Sequence, residues 1–328
     1  MKRDESIDTM RGIGAFLVMW SHAGSETDGY FTVISPIMLP VFFLVSGYLF
    51  KPEKMGIKDF IKTRLISLLG PWIIISYVQA YFNVSDIKRI LKDFGVIKEI
   101  GIDCTLRILS GTAVWFIPAL AVSLSIAYGI IKVCKNHKKS LAVSFTVSIL
   151  AWYFLREIEI LNIWSICGAL INQVFIVAGY CMKHRLDEQD TRMRIIAHKV
   201  WIPVFVIEEI LFMKLFSWQG FAIRYNGIEN ILEYYILCFS GLFAVYALTR
   251  KWSRIPLITF MGTHSLLYFA FGPHGYVIGR KILEILSVNI RNENISTLII
   301  AFIASVAWII PARIIDKVCP ILNGKVRS

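Results

Sequence analysis

The chain has 328 residues, of which 56% are hydrophobic, 13% aromatic and only 18% charged, and its mean hydropathy is +0.62. A soluble domain carries about 25% charged and about 45–50% apolar residues, so the composition excludes an ordinary soluble enzyme, a disordered chain and a nucleic-acid-binding domain, and identifies a membrane protein. Thirty-five Lys and Arg against 23 Asp and Glu give a net charge of +12, which in a membrane protein reflects topology before it reflects a polyanionic partner.

Apolar runs bounded by charges or turn residues predict ten spans, at 12–24, 31–50, 65–82, 113–131, 140–155, 160–182, 200–217, 231–249, 255–272 and 296–315. The predicted fold is therefore an all-α integral membrane bundle of about ten transmembrane helices. An even number of spans puts both termini on one side. With the N-terminus inside, and with Lys214 and Arg313, which lie within spans, counted at their nearer ends, the inner side holds 24 basic residues and the outer one 11. Cytoplasmic loops concentrate Lys and Arg, so the expected topology is N-in and C-in, with residues 1–328 forming a single membrane-embedded domain.

The first run, Gly12 to Gly24, is short for a bilayer, which needs about 20 residues. It is expected to stop short of the far interface. Within it Arg11 and His22 are 11 positions apart, which at about 100° per residue returns to within about 20° of the same face. Along the axis they are separated by about 16 Å at 1.5 Å per residue, with Arg11 expected at the cytoplasmic surface and His22 deep in the membrane. Asp8, three positions before Arg11, is placed to pair with it. Arg at a membrane surface ordinarily anchors topology, and a histidine in a helical bundle is ordinarily satisfied by a neighbour. An anion-binding group at one end of a face and a base at the other is the more specific pattern.

Further along, Ser46-Gly47 and Gly262 to Ser265 bring small residues into two spans, a signature of close helix packing that would equally leave room for a slender ligand. In 84–102 apolar residues recur at helical spacing opposite Lys88, Arg89, Lys92 and Asp93, predicting a helix on the membrane surface. The stretch Tyr276 to Ile290 reads similarly. Trp115 stands at a span end, as an interfacial anchor or a stacking surface. Arg156, Glu157 and Glu159 read as a solvated rim. Glu208 and Glu209 lie in mid-span, where carboxylates are costly and tend to be functional, with Lys214 and Arg224 as the simple charge partners. The six cysteines are scattered singly, with no metal-ligand spacing and no disulfide pattern, so neither a metal nor a bridge is expected.

The stretch Asp8 to His22, an Arg-x10-His pattern, resembles the opening of the acyltransferase-3 family of bacterial integral-membrane O-acyltransferases. Three later stretches agree in order: Val41 to Phe50, Trp115 to Leu120 and Phe260 to Tyr268. The resemblance implies a ten-helix domain of the bacterial cytoplasmic membrane that passes an acyl group, usually acetyl, from cytoplasmic acetyl-CoA to a hydroxyl of a surface polysaccharide or lipid-linked sugar. It implies Arg11 and His22 as the catalytic pair, with Asp8, from its spacing, expected to support them; beside that pair Arg11, Ser46, Gly47 and Ser265 are read as the donor side, and Trp115, Glu208, Glu209 and His274 as the acceptor side. His274 fits the family's Tyr-x-x-His element only with an offset from Tyr268. Membrane lipid, acyl-CoA and a glycan acceptor are the expected partners, without nucleic acid and with homo-oligomers left open. A carrier of a small polar substrate on the same architecture is the alternative.

Overall fold

The computed structural model describes residues 4–24, 29–82, 84–155, 163–186, 191–216, 221, 228–285, 290 and 292–324, which are helical with no strand among them. In chain order the helices are α1 (Glu5–Ala23), α2 (Gly29–Met38), α3 (Pro40–Tyr48), α4 (Ile57–Phe60), α5 (Ile66–Phe82), α6 (Val84–Lys92), α7 (Val96–Ser110), α8 (Phe116–Cys134), α9 (His137–Leu155), α10 (Ile166–Leu186), α11 (Thr191–Phe216), α12 (Ile231–Lys251), α13 (Pro256–Thr263), α14 (Ser265–Phe271), α15 (Gly275–Ile285), α16 (Glu293–Ala307) and α17 (Ile309–Val318). Their boundaries follow from local chemistry. Asp4, Asn230 and Asn292 accept hydrogen bonds from the free amides that open α1, α12 and α16, as a short polar side chain at that position does. Pro40 and Pro256 begin α3 and α13, where the missing N–H is not needed.

Among the described residues six runs are long and apolar enough to cross a membrane: Gly29–Tyr48, Ile57–Phe82, Phe116–Cys134, Ile163–Lys183, Ile231–Lys251 and Glu293–Val318. These are the second, third, fourth, sixth, eighth and tenth of the ten expected spans. The other four coincide with α1, α9, α11 and the broken pair α13–α14, which carry charges, serines or an interruption. Arg156, Glu157, Glu159 and Arg224 lie outside the described residues.

Two expectations change in detail. The first helix runs from Glu5 to Ala23, 19 residues rather than 13, because the polar first turn capped by Asp4 continues the apolar run. His22 therefore sits in the last turn of a full-length helix and is exposed. The expected surface helix at 84–102 is two helices, α6 and α7, joined at a turn where the Asp93 carboxylate accepts from the Gly95 amide at 2.8 Å and tied by the Arg89–Glu99 ion pair at 3.1 Å.

The chain divides into two compact units, Met1–Phe50 with Phe175–Ile223 and Gly227–Ile314, and Lys51–Val174 with Arg224–Asn226 and Ile315–Ser328. In the second unit, polar side chains join helices that apolar burial alone would hold less specifically. Ser144 Oγ donates to Gln173 Oε1 at 2.7 Å and Gln173 Nε2 returns a bond to the Ser144 carbonyl at 2.8 Å. Ser148 and Ser123 donate to the carbonyls of Ile171 and Ala169, and Trp72 Nε1 donates to Ala113 O at 2.7 Å.

The first unit is organised around α1. At Gly12 and Gly262, α1 and α13 meet at backbone distance: a Cβ on Gly12 would stand 1.8 Å from the Ile258 carbonyl oxygen, and one on Gly262 1.8 Å from that of Asp8. Thr9 Oγ1 donates to Ser253 O at 2.8 Å and lies 2.7 Å from Thr259 Oγ1, which locks the register of the crossing. Thr9 meets Thr259, Gly12 meets Gly262 and Met19 meets Gly272, ascending together along both, so α1 and the α13–α14 pair run in the same direction. Arg250, in the last turn of α12, meets Asp4 at the start of α1 and Tyr48 at the end of α3, so α12 and α3 run opposite to α1.

A side chain forced into the α1–α13 crossing collides with backbone, which cannot rotate away. Gly12→Val is expected to cost at least about 1–3 kcal/mol, the usual range for overpacking, read as a lowered midpoint of thermal unfolding in detergent. Gly129 in α8 has nothing within 4 Å of a built Cβ, so Gly129→Ala is expected to leave the midpoint unchanged or raise it.

Candidate active site

On α1, Asp4, Arg11, Val18 and His22 recur at intervals of seven, seven and four residues, so at about 100° per residue they form one stripe. Gly12, about 100° away, is turned to α13. The stripe is thereby directed to a different side of α1 from the glycine crossing. Its inner pair is Arg11, half-buried, and Val18, 4% exposed. His22 projects at its far end, about 16 Å from Arg11. Asp8 is buried, 7% exposed, on the flank of α1 that meets α13.

The start of the stripe is tied down by one arginine. Arg250 donates from Nη1 to Asp4 Oδ2 at 3.0 Å, from Nη2 to Tyr48 Oη at 3.1 Å and from Nε to Tyr246 Oη at 3.0 Å. A planar guanidinium with fixed donor directions suits three acceptors on three helices better than an ammonium would. Lys183 lies over the Tyr48 ring at 5.4 Å, and Arg254 approaches Glu5 at 4.0 Å. This end of the first unit thus gathers cations around the beginning of α1.

The remaining candidates are distributed as follows. Gly47 packs helix on helix: a Cβ there would stand 1.9 Å from the Ile176 carbonyl oxygen. Ser46 beside it is half-buried, as is Ser265, which opens α14. Between α13 and α14 the backbone breaks at His264, with φ −119° and ψ 23°. The His264 imidazole stacks on Phe260 at 4.1 Å, and Arg313 lies 5.2 Å from the centre of the same Phe260 ring. Glu209, 2% exposed, lies within electrostatic reach of Cys238 on α12. Glu208 is half-buried with its Oε2 enclosed and unbonded among the described residues. His274 is exposed, its Nδ1 3.2 Å from the Phe271 carbonyl. A carbonyl only accepts, so the Nδ1 carries the hydrogen in that contact. Trp115, half-buried, belongs to the second unit. All the other candidates belong to the first.

Residue reasoning along the sequence missed Tyr30, Tyr48, Arg250 and Tyr276. Arg250 and Tyr276 bond to α1 across 246 and 257 positions, and no local spacing announces such a contact. Among the described residues no group of three or more metal-ligating side chains occurs.

The Arg250–Asp4 contact predicts a measurable coupling. Asp4→Asn and Arg250→Gln are each expected to lower the thermal midpoint, and the double variant to fall short of their sum. The coupling should be at most about 1 kcal/mol, since both groups are partly exposed. Strict additivity would show that the two charges do not interact.

A model of the acyltransferase-3 family, described as an acyltransferase domain, matches residues 4–314. No curated protein and no solved structure matches the chain.

Proposed function

Since the chain belongs to this acyltransferase family, we propose that it transfers an acyl group, acetyl in the first instance, from cytoplasmic acyl-CoA to a hydroxyl of a cell-surface polysaccharide or lipid-linked sugar. The observation that carries this reading is the stripe on α1, which sets an arginine and an exposed histidine on one face of a single helix. CoA has a phosphate-rich head and a long arm ending in the thioester. Arg11 holds phosphate bidentately, and the arm runs along the stripe toward His22. There the imidazole takes the proton of the acceptor hydroxyl while its oxygen attacks the thioester carbonyl. The tetrahedral intermediate collapses with loss of the CoA thiolate, which the imidazolium protonates.

In this reading Asp8 supports Arg11, while Ser46 and Ser265 belong to the donor side and Gly47, its face filled by the Ile176 backbone, serves packing. Glu208, Glu209 and His274 belong to the acceptor side. The protein works in the bacterial cytoplasmic membrane with N-terminus and C-terminus inside, surrounded by lipid, and it forms homo-oligomers only if its lipid-facing surfaces pair. Membership of an acyltransferase family favours the enzyme over the carrier alternative. Mass spectrometry of surface glycans from cells with and without the gene identifies the acceptor.

His22→Ala is expected to lower acyl transfer by about 10²–10⁴-fold, the contribution of a general base, with the protein still inserting and unfolding at its usual temperature. Wild-type turnover in folded His22→Ala protein would refute the role. Arg11→Lys is expected to raise the KM for acyl-CoA, because an ammonium does not reproduce a bidentate phosphate contact. An unchanged KM would return Arg11 to a topology anchor.

A further inference from the structure

A helix ends with its last carbonyls lacking amide partners, and terminal turns open at little free-energy cost. His22 lies in such a turn, one residue from the end of α1. A group that must reach a reacting atom within about 0.5 Å is poorly served by a fraying turn.

Hydroxyls from two other helices, and one from Ser21 of α1 itself, reach this stretch, where Trp20 O is among the last four carbonyls of α1 and Val18 O and Met19 O lie four residues before His22 and Ala23. Three consecutive carbonyls of α1 each accept a hydroxyl: Val18 O from Ser21 Oγ at 2.9 Å, Met19 O from Tyr276 Oη, and Trp20 O from Tyr30 Oη at 3.3 Å. Tyr276 comes from α15 and Tyr30 from α2. Both rings are buried, 7% and 6% exposed, so the hydroxyls do not swing into solvent. The Tyr30 ring also stacks on Trp20 with centroids 4.8 Å apart and planes 4° from parallel. The Trp20 indole N–H in turn donates to Thr297 Oγ1 on α16 at 3.2 Å. The residues before His22 are thus bonded to three other helices, while His22 itself is exposed.

We infer that Tyr276 and Tyr30 are positioning residues for His22: their phenolic hydroxyls hold the terminal turn of α1 closed, so that the imidazole is presented in one orientation. The inference rests on the reading of His22 as the base. Burial, reinforced by the neighbouring Tyr30, pushes the Tyr276 phenol above its ordinary range, so it stays protonated and remains a donor at physiological pH. Neither phenol touches the acceptor hydroxyl or the thioester in this scheme. Each acts through the backbone that carries His22.

The test is Tyr276→Phe, alone and with Tyr30→Phe, which removes hydroxyls and leaves the rings packed. In the purified full-length protein, kcat with acetyl-CoA is expected to fall about tenfold, as a small displacement of a catalytic group produces, while the KM for acetyl-CoA stays unchanged. Amide exchange at His22 and Ala23, followed by mass spectrometry, is expected to accelerate about tenfold, and further in the double variant. Tyr268→Phe is the control. It loses the same kind of bond, from a buried phenol to Ser305 O at 2.9 Å, and should leave exchange at His22 and Ala23 as it was. Unchanged exchange in the double variant overturns the positioning role. So does faster exchange with an undiminished kcat. A wild-type protein that transfers no acyl group from acetyl-CoA overturns the enzyme reading by itself, before any variant is compared.

Discussion

The backbone contact of α1 with α13 at Gly12 and Gly262 sets the geometry of everything proposed for this protein. Helices with side chains at the crossing stand about 8–10 Å apart. Here each glycine leaves space that the other helix's backbone fills, and Thr9 adds hydrogen bonds to Ser253 and Thr259 that fix the rotation of α1. In lipid, where tails are as apolar as leucine, packing and interhelical hydrogen bonds are the main forces that associate helices. With one flank of α1 committed to α13, the stripe of Asp4, Arg11, Val18 and His22 has only one direction left to it. Arg250 then fixes the beginning of the stripe through Asp4, and Tyr30 and Tyr276 hold its end.

That arrangement suits a reaction whose substrates differ in polarity. A charged donor head belongs with arginine near the cationic end of the bundle, where Lys183, Arg250 and Arg254 gather. A hydroxyl that must lose a proton belongs with a histidine, whose ordinary titration lies near physiological pH. Placing both on one rigid helix makes their separation a property of helix geometry rather than of loop conformation.

Much of this was legible in the residues. Uniform apolar runs such as 231–249 and 296–315 gave helices where they were expected, because a span buried in lipid and protein needs little beyond hydropathy. The Arg-x10-His spacing located the stripe, and 11 residues near three full turns is arithmetic that any helix obeys. The first helix was harder to read. Its polar opening, Glu5, Ser6 and Asp8, looks like a loop by hydropathy, yet Asp4 caps it and α13 buries part of it. The interruption at His264 was passed over because Gly262 to Ser265 reads as a small-residue packing surface inside one span at 255–272. Gly47 was read as packing or as ligand space, and the Ile176 carbonyl occupies its face. Tyr30 and Tyr276 carried no signal, since a tyrosine near a span end is an ordinary interfacial residue and its hydrogen-bond partner is fixed only when distant helices assemble.

The central claim is that α1 forms a route from a donor site near its N-terminal end to a base near its C-terminal end. The most direct measurement is sidedness in sealed proteoliposomes of one orientation, with labelled acetyl-CoA supplied on one face at a time. Label should pass to acceptor only when acetyl-CoA is given on the face that carries the N-terminus. Equal transfer from donor supplied on the opposite face would contradict the placement of Arg11 at the donor end and the route along α1.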